Sequence, residues 1–347
     1  MTLIVKIKKD FKNFHLNVDF SNEEGLLGIL GASGCGKSIT LKCIAGLITP
    51  DTGYIELDGR ILFDSEKKIN LKPQERKVGY LFQNYALFPN MTVRENILIG
   101  YNGENAETEL AELLERFSIL ELADRYPRQL SGGQQQRAAL ARIFANHPRA
   151  LLLDEPFSAL DEHLRSELTL ELKEHLDAYE GMILMVTHSR NEVYELSQNL
   201  IVMDRGKVLI QEETKTLFYD PQLVKAARLT GCKNISRIEK IAGKRLRALD
   251  WGVNLTVDRP ISDEICAIGI RAHDFGGPSA QNRINVFAIE ADSTINEPFE
   301  MNYVCKTAGP KKVWWMIAKR EMPERLPDKL YVDPEKILLL REEENEK

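Results

Sequence analysis

Residues 31–38 read "GASGCGKS", and their reading decides the fold. Gly31, Gly36, Lys37 and Ser38 fit the pattern G-x-x-x-x-G-K-[ST]. An apolar run, "LLGILG" (26–31), precedes the stretch, and a helical pattern, "SITLKCIAGLI" (38–48), follows it. That strand–loop–helix context is what a phosphate cradle demands. Glycines let the backbone curl closely, so that successive N–H groups of Ala32, Ser33, Gly34, Cys35, Gly36 and the residues up to Ile39 face phosphate oxygens. The helix N-terminus adds a favourable dipole, Lys37 a point charge, and Ser38 a hydroxyl suited to Mg²⁺.

Outward from this loop, short apolar runs alternate with helical stretches. "VGYLF" (78–82), "ALLLDE" (150–155), "MILMVTH" (182–188) and "LIVMD" (200–204) read as further buried strands, and "EHLRSELTLELKEHLDAY" (162–179) as a helix. Continuous apolar runs suit a parallel sheet covered on both faces, so residues 1–229 are expected to form an α/β domain. From about 230 the texture changes. Trp251, Val253, Leu255 and Val257 alternate in "WGVNLTVD", and "FEMNYVCK" (299–306) and "KVWWMIA" (312–318) alternate likewise. Short strands with Gly and Pro between them predict a smaller all-β domain over 230–347, a barrel or sandwich.

Composition narrows the function. A formal net charge of -6 and the absence of a basic stretch argue against life on nucleic acid. Five cysteines, scattered and without a CxxC pair, read as reduced cytosolic thiols, with neither a disulfide framework nor a zinc site. The opening residues do not read as a secretory signal, and no apolar run approaches the roughly 20 residues a bilayer requires. A membrane role is therefore expected to come through a partner.

A phosphate loop alone suits kinases, GTPases and many ATPases. In "ALLLDEP" the apolar run buries a strand and leaves Asp154 at its C-terminal end, where α/β sheets place ligands. Asp154 is expected to hold Mg²⁺ through water. Glu155 beside it is placed to polarise an attacking water, which favours hydrolysis over transfer. "LSGGQQQR" (130–137) is a second phosphate-binding end, because Ser131, Gly132 and Gly133 open a helix. One chain then holds two such ends but one phosphate loop. A head-to-tail dimer resolves this, each ATP clasped by the loop of one copy and the "SGGQ" end of the other.

With these motifs in place, residues 31–188 resemble the nucleotide-binding subunit of an ABC transporter. The order agrees: phosphate loop, Gln83 in "LFQNYALFP", "LSGGQ", "LLLDEP", "SALD" (158–161), and His188 in "VTHS". The resemblance implies an α/β P-loop NTPase, an ABC cassette with a helical subdomain at about 88–130, followed by an OB-like β domain. It implies that Gln83 reaches the Mg²⁺ and the water and couples to the membrane subunit. Ser131, Gly133 and Gln134 would meet the γ-phosphate across the dimer, Asp161 would organise the dimer contact, and His188 would contact the γ-phosphate. Two departures stand out. Ile39 replaces a frequent threonine, and either Phe11 or Phe14 could stack on adenine, with Phe11 preferred.

The partners implied are two membrane-spanning permease subunits and a solute-binding protein, with the chain peripheral on the cytoplasmic face of the membrane. Within bacterial importers, "DSEKKINLKPQERKVGYLFQNYALFP" (64–89), "TGCKNI" (230–235) and "IGIRAHDF" (268–275) look most like the molybdate and sulfate group. Molybdate or tungstate is the first reading of the cargo, sulfate the second, with polyamine, iron and sugar systems behind. Arg271, His273 and Lys233 are the candidates should the β domain bind an oxyanion; a dimerisation and stabilising module is the alternative. Soluble ABC ATPases of ribosomes or DNA ends usually carry two cassettes or a long coiled coil, and neither occurs in the sequence. Finally, Cys35 at the helix N-terminus is expected to favour its thiolate.

Overall fold

The computed structural model describes residues 1–101, 103–158, 162–277, 284–323 and 325–343. The chain divides into two compact units, Met1–Lys215 and Thr216–Lys347. The division falls ahead of the 229/230 boundary expected from texture. The reason is local: on the helix Val224–Leu229, Val224 and Ala227 bury themselves with Cys232, Ala267, Leu338 and Leu340 of the second unit.

In the first unit one sheet runs in the order 69–70, 60–64, 52–57, 3–11, 14–22, 207–213, 199–204, 26–31, 182–187, 150–154, 78–81. The last five are parallel. Leu26–Gly31, Ala150–Asp154 and Met182–Thr187 are buried at every position, as their continuous apolar runs require. Leu30 pairs with Thr187, and Asp154 with Val186. The segments after Gly31, Asp154 and Thr187 therefore leave from one edge of the sheet, the edge at which α/β folds bind ligands.

The other half of the sheet holds antiparallel strands that the apolar runs did not reveal. Leu3–Phe11 pairs antiparallel with both Phe14–Asn22 and Thr52–Leu57. Leu3, Val5 and Ile7 point into the core while Lys6 and Lys8 stay exposed, so these strands lack a continuous apolar run.

The helix Lys37–Ala45 follows the phosphate loop and stops at Gly46, whose left-handed φ of 79° ends it. Within 88–130 lie the helices Val93–Leu98 and Ala106–Arg116, and then Gly132–Phe144 begins. In the second unit, strands order as 253–256, 245–248, 234–242, 267–270, 338–340 in one sheet, with two three-stranded sheets beside it. Its core gathers Trp251, Val253, Leu255 and Val257 around Trp315, on the side the alternation predicts. Among the described residues no helix is long and apolar enough to cross a membrane.

Candidate functional site

Two glycines shape the phosphate loop. A Cβ on Gly31 would lie 2.4 Å from the Met203 carbonyl oxygen and 2.6 Å from Cys35 Sγ. Gly36 has φ 109°, and a Cβ there would sit 2.9 Å from both Leu16 and Phe14 side-chain carbons. Larger residues would force the loop open. Ala32, Ser33 and Gly34 are exposed along its rim. The helix that follows has no acidic residue in its first turn, so its positive end is uncompensated. Lys37 is buried, and its Nζ donates to the Gly31 and Ala32 carbonyls at 2.8 and 3.1 Å. Ile39 packs half-buried against the core, and the neighbouring Thr40 hydroxyl donates to Gly36 O, so it does not supply the missing contact.

The Cys35 expectation is overturned. The thiol is buried, and desolvation raises its pKa more than Lys37 lowers it. Burial in the loop, not the helix end, sets its chemistry.

Around the loop, oxygen ligands collect. Ser38 Oγ donates to Asp154 Oδ1 at 2.7 Å, and Tyr80 Oη to Asp154 Oδ2 at 2.8 Å. Burial and then the Asp154 charge push the Tyr80 phenol far above its usual value, so it remains a donor. Few hard oxygens of this kind fit a divalent cation such as Mg²⁺, which takes its other ligands from phosphates and water. Among the described residues no group of three or more His, Cys, Asp or Glu forms a cage of its own.

Glu155 sits one residue on, with φ 48°. Its N–H donates to Val186 O at 2.8 Å, and its carbonyl accepts from Ser158. Gln83 Nε2 approaches Glu155 Oε2 at 3.4 Å, and His188 Nδ1 lies 3.3 Å from the same oxygen. Three residues expected to share one task thus converge from three separate loops. Behind His188, the Thr187 hydroxyl donates to the buried Glu192 at 2.6 Å and accepts from the Ser189 N–H at 3.0 Å, which fixes the turn.

Ser131 caps the helix Gly132–Phe144. Its hydroxyl accepts from Gln134 N at 3.3 Å, while Gln134 Oε1 accepts from Ser131 N at 2.9 Å, a reciprocal capping box. Helix geometry leaves the N–H groups of Gly132 and Gly133 without an intrahelical acceptor. The side chains of Ser131 and Gln134 bond to each other's backbone N–H groups, and among the described residues neither is bonded to the phosphate loop of the same copy. Asp161 lies outside the described residues.

Phe11 is exposed, whereas Phe14 packs half-buried against the core; their rings are 6.3 Å apart. Of the two, Phe11 is the more exposed, with the Lys9 ammonium 5.9 Å from its ring centroid. In the second unit the polar candidates have separate partners. Arg271 donates to the carbonyls of Thr230 and Phe218, Lys233 stands over the Trp314 ring, and His273 lies beside Asp274.

Sequence reasoning missed Tyr80, Tyr85, Asn96, Arg142 and Glu192. Two of them had a local signal: Thr92 and Glu95, beside Asn96, have capping-box spacing, as do Ser189 and Glu192, and Thr92 and Ser189 each cap the helix that follows. Asn96, fully buried, exchanges hydrogen bonds with Phe88 and also donates to Met91 and Thr92.

The family described as ABC transporter matches residues 14–158. An Fe(3+) ions import ATP-binding protein of Haemophilus influenzae is 42% identical over 221 residues, 62% of this chain and 62% of that protein. The match therefore spans about three fifths of that relative's length. A sulfate/thiosulfate import ATP-binding protein of Mannheimia succiniciproducens is 34% identical over 289 residues, 78% of each chain. Other relatives are named for spermidine/putrescine import. Among solved structures, the dimeric post-hydrolysis state of the ATP-binding cassette MJ0796, bound to ADP and Pi, is similar with 28% identity and TM-score 0.52. It covers 62% of this chain and 99% of that one. By likeness to these importer proteins, the chain belongs to the ATP-binding subunits of ABC transporters.

Proposed function

We propose that the chain hydrolyses ATP as one of two cassettes that power import through a membrane permease. The observation that carries this reading is the convergence of Gln83 and His188 on Glu155 Oε2, one residue from the Ser38–Asp154 hydrogen bond. The phosphate loop, Gly31 to Ile39, wraps the phosphates, and Lys37 exchanges its two loop carbonyls for phosphate oxygens. Ser38, Gln83 and, through water, Asp154 would hold Mg²⁺, which neutralises charge building on the phosphates. Glu155 takes the proton from the attacking water, while His188 donates to the γ-phosphate. Phe11 stacks on the adenine. Ser131, Gly132, Gly133 and Gln134 of a second copy close the site in a head-to-tail dimer, with Asp161 at the contact.

A groove of about 820 Å³ supports a membrane partner. Phe82, Phe88, Ile99, Pro148 and Arg142 help to line it. Phe88 and Pro89 beside Gln83 are exposed, so a short helix of a permease seated there would press on the loop that carries Gln83. The second unit is read as an OB-type module, with an oxyanion ligand or dimerisation as its two roles. Molybdate rests on the phrasing at 64–89, 230–235 and 268–275, whereas the relatives' names spread over ferric iron, sulfate and polyamines. Their shared cassette and divergent cargoes favour a coarser statement: the partner selects the solute.

The test is recovery of the tagged chain from its native membranes. Co-purification of a multi-span permease with a solute-binding protein supports the importer, and the binding protein's ligand names the cargo. Recovery with ribosomes or DNA-repair factors alone would overturn transport and leave the ATPase standing.

A further inference from the structure

We infer that Arg142 is a positioning residue: from the signature helix it clamps the loop that presents Gln83. Arg142 Nη1 donates to Ala86 O at 2.7 Å, and Nη2 donates to Tyr85 O at 2.9 Å. Both acceptor residues are left-handed, with φ 60° at Tyr85 and 45° at Ala86. Two consecutive non-glycine residues in that region persist only where the surroundings enforce them. The planar guanidinium reaches the two carbonyls through two separate nitrogens in a fixed fork, a geometry that the single nitrogen of an ammonium does not reproduce. Among the described residues no carboxylate pairs with Arg142, so its cationic head serves the two carbonyls and the face of Phe88, 5.7 Å away.

The same turn is fastened on its other side. Tyr85, 2% exposed, donates through its hydroxyl to Pro156 O at 3.2 Å, directly after Glu155. Gln83 stands two residues before Tyr85. The helix that carries Arg142 is capped at its N-terminus by Ser131. A rigid helix therefore connects the "SGGQ" end to the turn that aims Gln83 at Glu155. Tilting that helix drags the turn, and with it the amide 3.4 Å from Glu155 Oε2. The inference rests on the reading of Gln83 and Glu155 as hydrolytic residues, and it adds the part that sets their spacing.

Four variants separate a clamp from a merely structural residue: Arg142→Gln, Arg142→Lys, Ala86→Gly, and Arg142→Gln with Ala86→Gly. Each is assayed for ATP turnover and for amide hydrogen exchange over residues 84–88. Arg142→Gln is expected to lower kcat about tenfold or more with little change in KM for ATP, since a small misplacement weakens chemistry more than binding. Exchange at 84–88 should quicken. Arg142→Lys should recover only part of the loss. Ala86→Gly alone should stay within about twofold, and in the Arg142→Gln background it should restore turnover, because glycine accepts positive φ without strain. Unchanged kcat and exchange in a folded Arg142→Gln protein would overturn the proposal. So would a loss of turnover that Ala86→Gly fails to relieve. An inactive wild-type protein would sink the hydrolytic reading instead, and the exchange data would still decide the clamp.

Discussion

Ser38 Oγ donates to Asp154 Oδ1 at 2.7 Å, joining the phosphate loop to a strand end 116 residues further along the chain. The second Asp154 oxygen is held by the Tyr80 hydroxyl at 2.8 Å, so the carboxylate cannot rotate freely before a cation reaches it. Tyr80→Phe removes one donor from a buried carboxylate and should destabilise the first unit by about 1–3 kcal/mol. Urea unfolding checks this, and Tyr80→Phe should also raise the Mg²⁺ concentration needed for half-maximal turnover. A melting curve and Mg²⁺ dependence identical to wild type would remove Tyr80 from the site.

Glu155 Oε2 is the oxygen on which Gln83 and His188 converge. Glu155→Gln keeps the shape and removes the base, so turnover should fall about 100-fold or more while ATP binding persists. Turnover near the wild-type rate would place the base elsewhere.

The parallel half of the sheet was legible because burial on both faces leaves an unbroken apolar run, as in "ALLLDE" and "MILMVT". The antiparallel half was not. Leu3–Phe11 alternates core residues with Lys6 and Lys8, and its charged face hides the strand in a composition-based reading. The site divides in the same way. Loop and strand-end residues follow from local spacing, whereas Tyr80, Tyr85 and Arg142 act on backbone or carboxylates brought near only by the fold. Cys35 was misjudged because the helix dipole is visible in sequence, and the burial that outweighs it is not.

The exposed and packed aromatics predict opposite phenotypes. Phe11→Ala should raise the Kd for ATP about 5- to 150-fold, in line with the ~1–3 kcal/mol of a base–aromatic stack, and leave the melting temperature unchanged. Phe14→Ala should lower the melting temperature, because its ring lies against the loop where a Gly36 Cβ would be 2.9 Å away. Calorimetric ATP titration and thermal melts distinguish the two, and a reversed pattern would exchange their roles.

Buried thiols give a pH dependence. Desolvation pushes Cys43 up to about 12 and Cys232 and Cys305 up to about 11, and it raises Cys35 as well. The unfolded chain releases these protons near the ordinary thiol value of 9.0, before the folded chain does. Stability contributed by the protonated thiols is therefore complete below that pH and declines as pH rises through 9 and beyond. Urea unfolding at neutral and alkaline pH should show the decline. Iodoacetamide at pH 8 should label native Cys35 far more slowly than the denatured chain, and labelling at the rate of a free thiol would contradict the burial.

The central claim is that ATP sits between the phosphate loop of one copy and the capped helix at Ser131 of another. Light scattering on the Glu155→Gln protein, with and without ATP and Mg²⁺, tests it most directly. A dimer that forms only with nucleotide, and that Ser131→Arg returns to monomer while ATP still binds, is the predicted result. A Glu155→Gln protein that stays monomeric with its ATP site saturated would contradict the shared site.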